Sequence, residues 1–362
     1  MRIGPLSEVY RASAKEMGEY HGWEMPSVFS SLEKEFDAAI RRAVFVDHSY
    51  YGRIEVRGAD RVDFLHRLTS NELLKAKGNT VVGTVFTNEK GRIIDYATAA
   101  LRGEKVLLIV SPGNDANLIR WLDKYHISED ISFRDVTFET AMISVLGPQA
   151  KSTLSSLFRI DLPLNGVLDV ETKRGTVMIA CAETSRLPIL HLVGSPSVLS
   201  ELWNAPAESR LSGVIPMGFL GYEAYRIARG VAAIGGELAE AFNPFEVGLR
   251  EAISFTKGCY IGQEVIARLD TYHKVKRKLV GLVFSAPFAK REKPPILRQG
   301  SKEIGVVTSW MERPLHNKYI GLGVVSSESV HEGDSLSVDI AGKELRALAL
   351  SIPILIQGAS VA

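Results

Sequence analysis

The stretch Lys257-Gly258-Cys259-Tyr260-Ile261-Gly262-Gln263-Glu264 is the most informative part of this 362-residue chain. It places two glycines, one of the two cysteines, a lysine, an amide and a carboxylate within eight residues. So polar a segment contributes little apolar burial, and its glycines permit backbone angles or close approaches that a side chain would forbid. Lys257 would favour the thiolate of Cys259 if the two side chains approach in space. The stretch therefore predicts a functional loop, and the alternative is a polar loop with an ordinary thiol.

The composition limits the classes of protein that fit. A chain of this length predicts about two or three domains. With 46% hydrophobic residues, 23% charged residues and a net charge of +1, it is typical of a soluble globular protein without a nucleic-acid footprint. One basic cluster stands out, His273-Lys274-Val275-Lys276-Arg277-Lys278. A solvated strand or linker explains that cluster at least as well as a binding role does.

The two cysteines, Cys181 and Cys259, make no disulfide framework and fit a reducing compartment. They are too few for an all-cysteine iron–sulfur cluster within one chain, and the histidines show no zinc-ligand spacing. The N-terminus lacks the apolar segment of a signal peptide, and the longest apolar stretch, 347–356, is too short to span a bilayer. We therefore expect a cytoplasmic protein with no metal site and no membrane or nucleic-acid partner.

Periodic patterns predict an α+β fold before residue 276. The first set of predicted elements comprises strands at 53–57, 81–86, 92–101 and 106–110, with a helix that Asp60 is predicted to cap and a helix over 114–125. A second, similar set comprises strands at 141–146, 167–171, 176–182 and 189–193, with helices over 149–157, 196–203 and 219–229. Ser195 is predicted to cap the helix over 196–203, and Gly230 is predicted to end the helix over 219–229. After residue 276, short strands separated by Gly, Pro and charged turns predict a small all-β domain, a barrel.

Two further segments carry candidate site residues. In Thr87-Asn88-Glu89-Lys90-Gly91-Arg92-Ile93-Ile94-Asp95-Tyr96, Asp95 lies on a strand after a turn. A carboxylate in that position is exposed, hydrogen-bonded structurally, or buried for use. In Tyr225-Arg226-Ile227-Ala228-Arg229-Gly230, Arg226 offers a guanidinium that can pair with a carboxylate or other acceptors, the alternative being solvation on a helix surface.

The octapeptide at 257–264 resembles the signature of the YgfZ family, folate-binding proteins related to the T protein (aminomethyltransferase) of the glycine cleavage system. The segment around Asp95 is similar to Asn-x-x-Gly-Gly-x-x-Asp-Asp of the aminomethyltransferases, whose first Asp lies beside the reactive nitrogens of tetrahydrofolate. Asp95 matches that Asp, Tyr96 replaces the second, and Arg226 matches an arginine near the folate. The matches run from about residue 16 to residue 325.

Two departures from the T proteins weigh against efficient amine transfer. Their Tyr-Thr-Gly-Glu-x-Gly-Tyr-Glu segment near the pterin corresponds here to 183–189, which lacks the acidic contact. Their Asn after the strand at 106–110 corresponds to Pro112, which removes a backbone donor as well as the amide side chain.

The resemblance implies a T-protein-like core of two intertwined α/β subdomains around a folate cleft, followed by a small C-terminal β-barrel. The implied domains are a core over 1–275, with subdomains at 1–50 with 138–217 and at 51–137 with 218–275, and a barrel over 276–362. The implied cofactor is tetrahydrofolate or a one-carbon-substituted form of it.

The implied function is a tetrahydrofolate-binding protein that assists the assembly or maintenance of iron–sulfur enzymes, with those enzymes or their assembly proteins as partners. Its implied reactive residues are Asp95 and Cys259, and its binding or loop-shaping residues are Asp95, Arg226, Lys257, Tyr260, Gln263 and Glu264. The alternative is an aminomethyltransferase or related one-carbon transferase, with a lipoyl-carrier protein as partner. A folate-binding scaffold without chemistry at Cys259 is a third possibility, so whether the protein is an enzyme stays open.

Overall fold

The computed structural model describes residues 1–76, 78–182, 184, 186, 188–208, 214–272, 274–289, 291, 293–340 and 342–356. The chain forms two compact units. The first comprises Met1–Thr87, Ile94–Tyr222 and Ala252–Ile261, and the second comprises Asn88–Ile93, Glu223–Glu251 and Gly262–Ala362. The octapeptide is therefore divided, with its first five residues in the first unit and its last three in the second.

The secondary-structure elements of the described residues are numbered in chain order. The strands are β1 (Arg2–Ile3), β2 (Glu16–Tyr20), β3 (Trp23–Val28), β4 (Val44–Asp47), β5 (Gly52–Arg57), β6 (Thr80–Thr87), β7 (Ile93–Arg102), β8 (Lys105–Val110), β9 (Ser132–Asp135), β10 (Ala141–Leu146), β11 (Val167–Thr172), β12 (Gly175–Ala182), β13 (Ile189–Gly194), β14 (Ile215–Pro216), β15 (Arg277–Phe284), β16 (Ile296–Gln299), β17 (Lys302–Trp310), β18 (Tyr319–Ser326), β19 (Ser335–Ile340) and β20 (Lys343–Leu350). The α-helices are α1 (Ser7–Tyr10), α2 (Leu32–Arg41), α3 (Arg61–Leu68), α4 (Asp115–Asp123), α5 (Ala150–Phe158), α6 (Pro196–Glu208), α7 (Phe219–Arg229) and α8 (Gln263–Thr271).

Two large sheets form the centre of the first unit. Among the described residues, one sheet has the strand order β11-β12-β13-β10-β4-β14 and the other has the order β6-β7-β8-β5-β9. A smaller sheet has the order β1-β3-β2. The predicted α+β class is confirmed, whereas the predicted subdomain boundaries inside this region stay a prediction.

Apolar side chains on both faces of the two sheets make the first unit a layered structure. The inner faces meet in a buried cluster formed by Val81, Ala100, Leu107, Ile109, Val136, Met142, Val167, Met178, Ala180, Ala182 and Val193. On the outer faces, α5 and α6 pack against one sheet and α3 and α4 pack against the other. Each helix thus buries one apolar face, as its periodicity predicts.

A closed β-barrel forms most of the second unit. Its strands, within the described residues, follow the order β15-β18-β17-β16-β19-β20. The interior is apolar and includes Leu282, Leu297, Val307, Leu336 and Val338. Because closure pairs every strand on both sides, the barrel leaves no open sheet edge. The predicted C-terminal barrel is confirmed.

The predictions for the ends of three helices were partly correct. Gly230, with φ of 67°, ends α7 as predicted, and Ser195 Oγ accepts a hydrogen bond from Val198 N at 3.4 Å at the start of α6. The prediction that Asp60 caps α3 is wrong. Its carboxylate instead accepts a hydrogen bond from the backbone N–H of Asp130 at 2.8 Å, which ties the start of α3 to the segment before β9. In the described part of the chain, no helix combines the length and apolar character needed to cross a bilayer.

Arg53 is a fully buried arginine on β5 that binds both connections between the two large sheets. Its guanidinium donates hydrogen bonds to the carbonyl oxygens of Ser49 and Tyr51, in the connection from β4 to β5. It also donates to the carbonyl oxygens of Thr137 and Thr140, in the connection from β9 to β10. Burial lowers the pKa of this guanidinium to about 10, which leaves it charged at neutral pH.

We expect Arg53→Met to lower the free energy of unfolding by about 3 kcal/mol or more, because buried carbonyl groups lose their donors. Arg57→Met is the matched control, since Arg57 lies on the same strand, is exposed and pairs with Glu55 at 2.7 Å. Arg57→Met should change the free energy of unfolding little, because an exposed arginine contributes little through an ion pair and Glu55 keeps Lys105 as a partner at 2.8 Å. Urea unfolding of both variants measures the difference, and equal losses would contradict the role assigned to Arg53.

Candidate functional site

The position of Asp95 follows from the hairpin of β7 and β8 in the first unit. These strands pair antiparallel with Thr98 opposite Ile109, and Arg102 opposite Lys105 at the turn. Continuing that register toward the start of β7 places Asp95 opposite Pro112. The segment that leaves β8 and enters α4 therefore runs beside the Asp95 side chain.

The Asp95 carboxylate is fully buried and accepts four hydrogen bonds. Oδ1 accepts from Ser111 Oγ at 2.5 Å and from the backbone N–H of Tyr96 at 2.8 Å. Oδ2 accepts from the Ser111 backbone N–H at 3.2 Å and from Asn114 Nδ2 at 2.9 Å. These donors account for the approximately four lone-pair sites of an ionised carboxylate.

Burial raises the pKa of the Asp95 carboxyl to about 6, because desolvation disfavours the charged form. The hydrogen bonds from Ser111, Asn114 and Tyr96 act in the opposite direction and offset part of that rise. The group is mostly ionised at neutral pH, yet its pKa is close enough to neutrality for proton exchange. A buried carboxylate of this kind can stabilise a cation or exchange a proton with an amine.

Sequence reasoning missed Ser111 and Asn114 as partners of Asp95. Pro112 replaces the Asn of the T proteins, which suggested that the amide side chain is lost. The structure instead provides an amide two residues later, from Asn114. Asn114 occupies the N-cap position of α4 but makes no side-chain cap, because its amide donates to Asp95 instead. The two-residue turn between β7 and β8 was the available signal, since its register brings residues 111–114 to Asp95.

Lys257, at the start of the octapeptide, is buried and holds the loop against the end of α3. Its Nζ donates hydrogen bonds to the carbonyl oxygens of His66, Thr69 and Asn71, the last at 3.0 Å. Carbonyl groups at a helix C-terminus lack intrahelical donors, and a cation there is also favoured by the helix dipole. Burial lowers the pKa of Lys257 to about 8. The described contacts give Lys257 a structural role, and its effect on the Cys259 thiolate stays a prediction.

The rest of the loop is held on both sides of an exposed cysteine. Lys257 Nζ lies 4.9 Å from the ring centroid of buried Tyr260, within the range of a cation–π contact, and burial raises the pKa of Tyr260 to about 12. Thr87 Oγ1 donates a hydrogen bond to the carbonyl oxygen of Ile261 at 2.6 Å. Between these anchors Cys259 is a free, exposed thiol, whereas Cys181 is buried. The first unit therefore presents the Cys259 thiol on a fixed loop.

The last residues of the octapeptide begin helix α8 in the second unit. Gly262 adopts φ of 82° at the N-cap position, a conformation that favours glycine. Gln263 and Glu264 form the first turn, where an exposed carboxylate is favoured by the helix dipole. Gly258 shows neither feature, because it does not adopt a positive φ and a Cβ there would meet no heavy atom within 4 Å.

Arg226 lies in the second unit, on the part of α7 that faces the barrel strand β17. Its Nε and Nη2 each donate to the Glu223 carboxylate at 2.6 Å, and Nη2 donates to Ser309 Oγ at 3.2 Å. Its Nη1 lies 3.7 Å from Glu237 Oε2, and Thr308 Oγ1 donates to the same Glu237 carboxylate. These contacts connect the helix to the barrel, so the folate role of Arg226 stays a prediction beside a clear structural role.

The sequence predicts that the segment 183–189 lacks the acidic pterin contact of the T proteins. Three residues of that segment, Glu183, Ser185 and Leu187, lie outside the described residues. Across the described residues, no group of three or more His, Cys, Asp or Glu side chains is arranged to hold a metal ion.

Comparisons with known proteins give one consistent result. Residues 6–257 match the GCVT N-terminal domain, and residues 277–354 match the glycine cleavage T-protein C-terminal barrel domain. An aminomethyltransferase of Geobacillus kaustophilus is 30% identical over 356 residues, covering 96% of this chain and 97% of that protein. One from Thermotoga neapolitana is 29% identical, covering 98% and 97%. The crystal structure of the glycine cleavage system aminomethyltransferase T from Bartonella henselae shares the fold, with a TM-score of 0.81 at 20% identity and 98% of each chain covered.

The pKa of Asp95 gives a pH prediction. Between about pH 4 and pH 6 the native protein retains the proton that the unfolded chain, with the ordinary value of 3.8, has already released. The contribution of Asp95 to the free energy of unfolding therefore falls as pH rises through this window, by about 3 kcal/mol in total.

Asp95→Asn removes the titrating carboxyl group. The free energy of unfolding of the wild type, measured relative to this variant, should therefore fall between about pH 4 and pH 6 and level off above pH 6. Asp161→Asn, at an exposed aspartate, should keep the wild-type pH profile. Urea unfolding across this pH range measures all three proteins. Parallel profiles for the wild type and Asp95→Asn would show that Asp95 titrates normally.

Proposed function

Because this chain belongs to the glycine cleavage T-protein family, we propose that it is a YgfZ-type member that binds a reduced folate at Asp95. We further propose that its Cys259 thiol serves the assembly or maintenance of iron–sulfur enzymes in the cytoplasm. The buried, hydrogen-bonded carboxylate of Asp95 is the observation that carries the folate proposal. Tetrahydrofolate, or a one-carbon-substituted form of it, is the proposed cofactor.

The chemistry of a reduced folate explains why a buried carboxylate is useful. One-carbon transfer to the folate passes through a cationic, iminium-like species and requires proton movement at a ring amine. A fixed negative charge stabilises that cation and orients the amine, and a pKa of about 6 permits proton exchange. Since four donors already occupy the carboxylate, a folate amine must replace one of them. The Ser111 hydroxyl is the donor that can rotate away.

Exposure and anchoring of Cys259 support the second part of the proposal. A thiolate is both the nucleophile of sulfur chemistry and a metal ligand, and both roles need access. The thiol is exposed, while Lys257 and Thr87 hold the loop on either side of it. One cysteine cannot hold a cluster alone, so the role requires either ligands from a partner protein or thiol–disulfide exchange. The proposed partners are iron–sulfur enzymes or their assembly proteins.

A folate-dependent aminomethyltransferase is the second candidate function. The amide of Asn114 favours it, because the carboxylate keeps an amide partner that the sequence had suggested was lost. The similarity to aminomethyltransferases over nearly the whole chain also favours it. This candidate predicts turnover with a lipoyl-carrier protein as aminomethyl donor, and it assigns no reaction to Cys259.

We expect calorimetric titration of tetrahydrofolate into the protein to show saturable binding. Asp95→Asn should weaken that binding by about tenfold or more, because the amine loses a charged acceptor. Asp161→Asn, at the exposed aspartate, should bind like the wild type. Unchanged affinity in Asp95→Asn would remove Asp95 from the folate site, and no binding by the wild type would contradict both candidate functions.

The two candidate functions differ at Cys259. In a strain that lacks the gene, we expect Cys259→Ala to fail to restore the activity of iron–sulfur enzymes, while its tetrahydrofolate affinity in vitro stays that of the wild type. Full restoration by Cys259→Ala would contradict the proposed role of the thiol. Turnover of an aminomethylated lipoyl carrier by Cys259→Ala would then support the transferase.

A further inference from the structure

The second unit contains a cavity of about 620 Å³ that neither candidate function uses. Its lining comes from five separate segments of the chain. The lining residues are Lys90, Arg92, Asn243, Glu246, Val265, Leu269, Lys274, Lys276, Arg277, Lys302, Glu303, Ile304, Gly305 and Ser326. A volume of this size suits a small molecule, since small-molecule sites typically enclose about 300–1,000 Å³.

Cations dominate this lining. Lysines and arginines contribute six positive charges, against the two carboxylates of Glu246 and Glu303. The basic cluster at 273–278 supplies half of these charges, through Lys274, Lys276 and Arg277. The other half come from the turn at 90–92 and from the start of β17. The whole chain carries a net charge of only +1, so the charge of this cavity is a local feature.

Hydrogen bonds already engage both carboxylates. Arg277 donates to both oxygens of Glu246, at 2.8 and 2.9 Å, and Arg92 lies 3.7 Å from it. Glu303 pairs at 2.9 Å with Arg298, which does not line the cavity. The carboxylates therefore neutralise the arginines rather than the lysines.

The four lysines of the cavity form no ion pair with a carboxylate of the described residues. Lys90, Lys274 and Lys276 form no ion pair there, and Lys302 Nζ donates to the Ser329 hydroxyl at 3.2 Å. Like charges gathered around one concave surface repel each other and concentrate a positive potential that attracts anions. Each ammonium offers three donors on a flexible stem, which suits phosphate and carboxylate groups.

We propose that this cavity binds a small polyanion that carries at least two phosphate or carboxylate groups. Val265, Leu269 and Ile304 supply an apolar wall, which fits a ligand with a compact organic body between its charged groups. Lys274, Lys276 and Arg277 come from the basic cluster at 273–278, for which a solvated strand or linker was at least as good an interpretation, and they form one side of this site. The site lies within the second unit and does not depend on folate binding.

Titration calorimetry with two probes tests the site and distinguishes the sources of the anion. Tripolyphosphate represents phosphorylated ligands and citrate represents polycarboxylates. The variants are Lys276→Gln with Lys302→Gln, which removes two cavity charges, and Lys343→Gln, which removes an exposed charge on β20 outside the cavity. We expect saturable one-to-one binding of at least one probe, about tenfold weaker in the double variant and unchanged in Lys343→Gln.

The probe that binds identifies the class of ligand, and binding of both points to charge recognition without a preference for either group. No saturable binding of either probe by the wild-type protein at low ionic strength overturns the site. An equal loss of affinity in the double variant and in Lys343→Gln also overturns it, because that result indicates general attraction of anions to the surface.

Discussion

The rest of the first unit depends on the buried guanidinium of Arg53. It supplies donors to carbonyl groups of both chain connections between the two large sheets, which would otherwise be buried without partners. Arg53 also pairs with Ile109, and its neighbour Gly52 pairs with Val110, the last residue of β8. The segment that provides the Asp95 donors leaves β8 directly after that pair. The same arginine therefore fixes the sheets and the point at which the candidate site begins.

Asp95 shows how burial and hydrogen bonding compete within that framework. Burial alone would make the carboxylate neutral, whereas four donors favour its ionised form, and the result is a pKa of about 6. A surface aspartate would stay ionised but well hydrated, and a buried aspartate without donors would stay protonated. The arrangement keeps a desolvated negative charge near neutral pH, and charge in such a site interacts more strongly than charge in water. We infer that this balance is what a cationic folate intermediate would use.

Much of the fold was predictable because it rests on local patterns. Alternating strands, the turn at 87–91 that precedes Asp95 and the Gly230 helix end are encoded within a few residues, and the barrel was recognisable from its short strands and turns. Asp95 was a candidate for the same reason. The hydrogen-bond partners of the candidate residues were harder to predict. Lys257, for example, donates to carbonyl groups of residues about 190 positions earlier in the chain.

Helix capping was only partly predictable, because a side chain at a helix start has alternative partners. Asp60 and Asn114 both occupy N-cap positions, yet neither caps its helix, because each has a partner in another segment. The basic cluster at 273–278 likewise did not indicate a cavity by itself, because Lys90 and Lys302 come from distant parts of the chain. Long-range contacts of this kind leave no periodic signal in the sequence.

Carbon NMR can measure the pKa of the Asp95 carboxyl in the free protein and in the protein saturated with tetrahydrofolate, and so test whether the folate binds beside Asp95. Asp95→Asn identifies the resonance. We expect a pKa near 6 in the free protein and a lower pKa in the complex, because an amine or cation beside the carboxylate favours its charged form. The same pKa in the free and saturated protein would contradict contact between Asp95 and the folate.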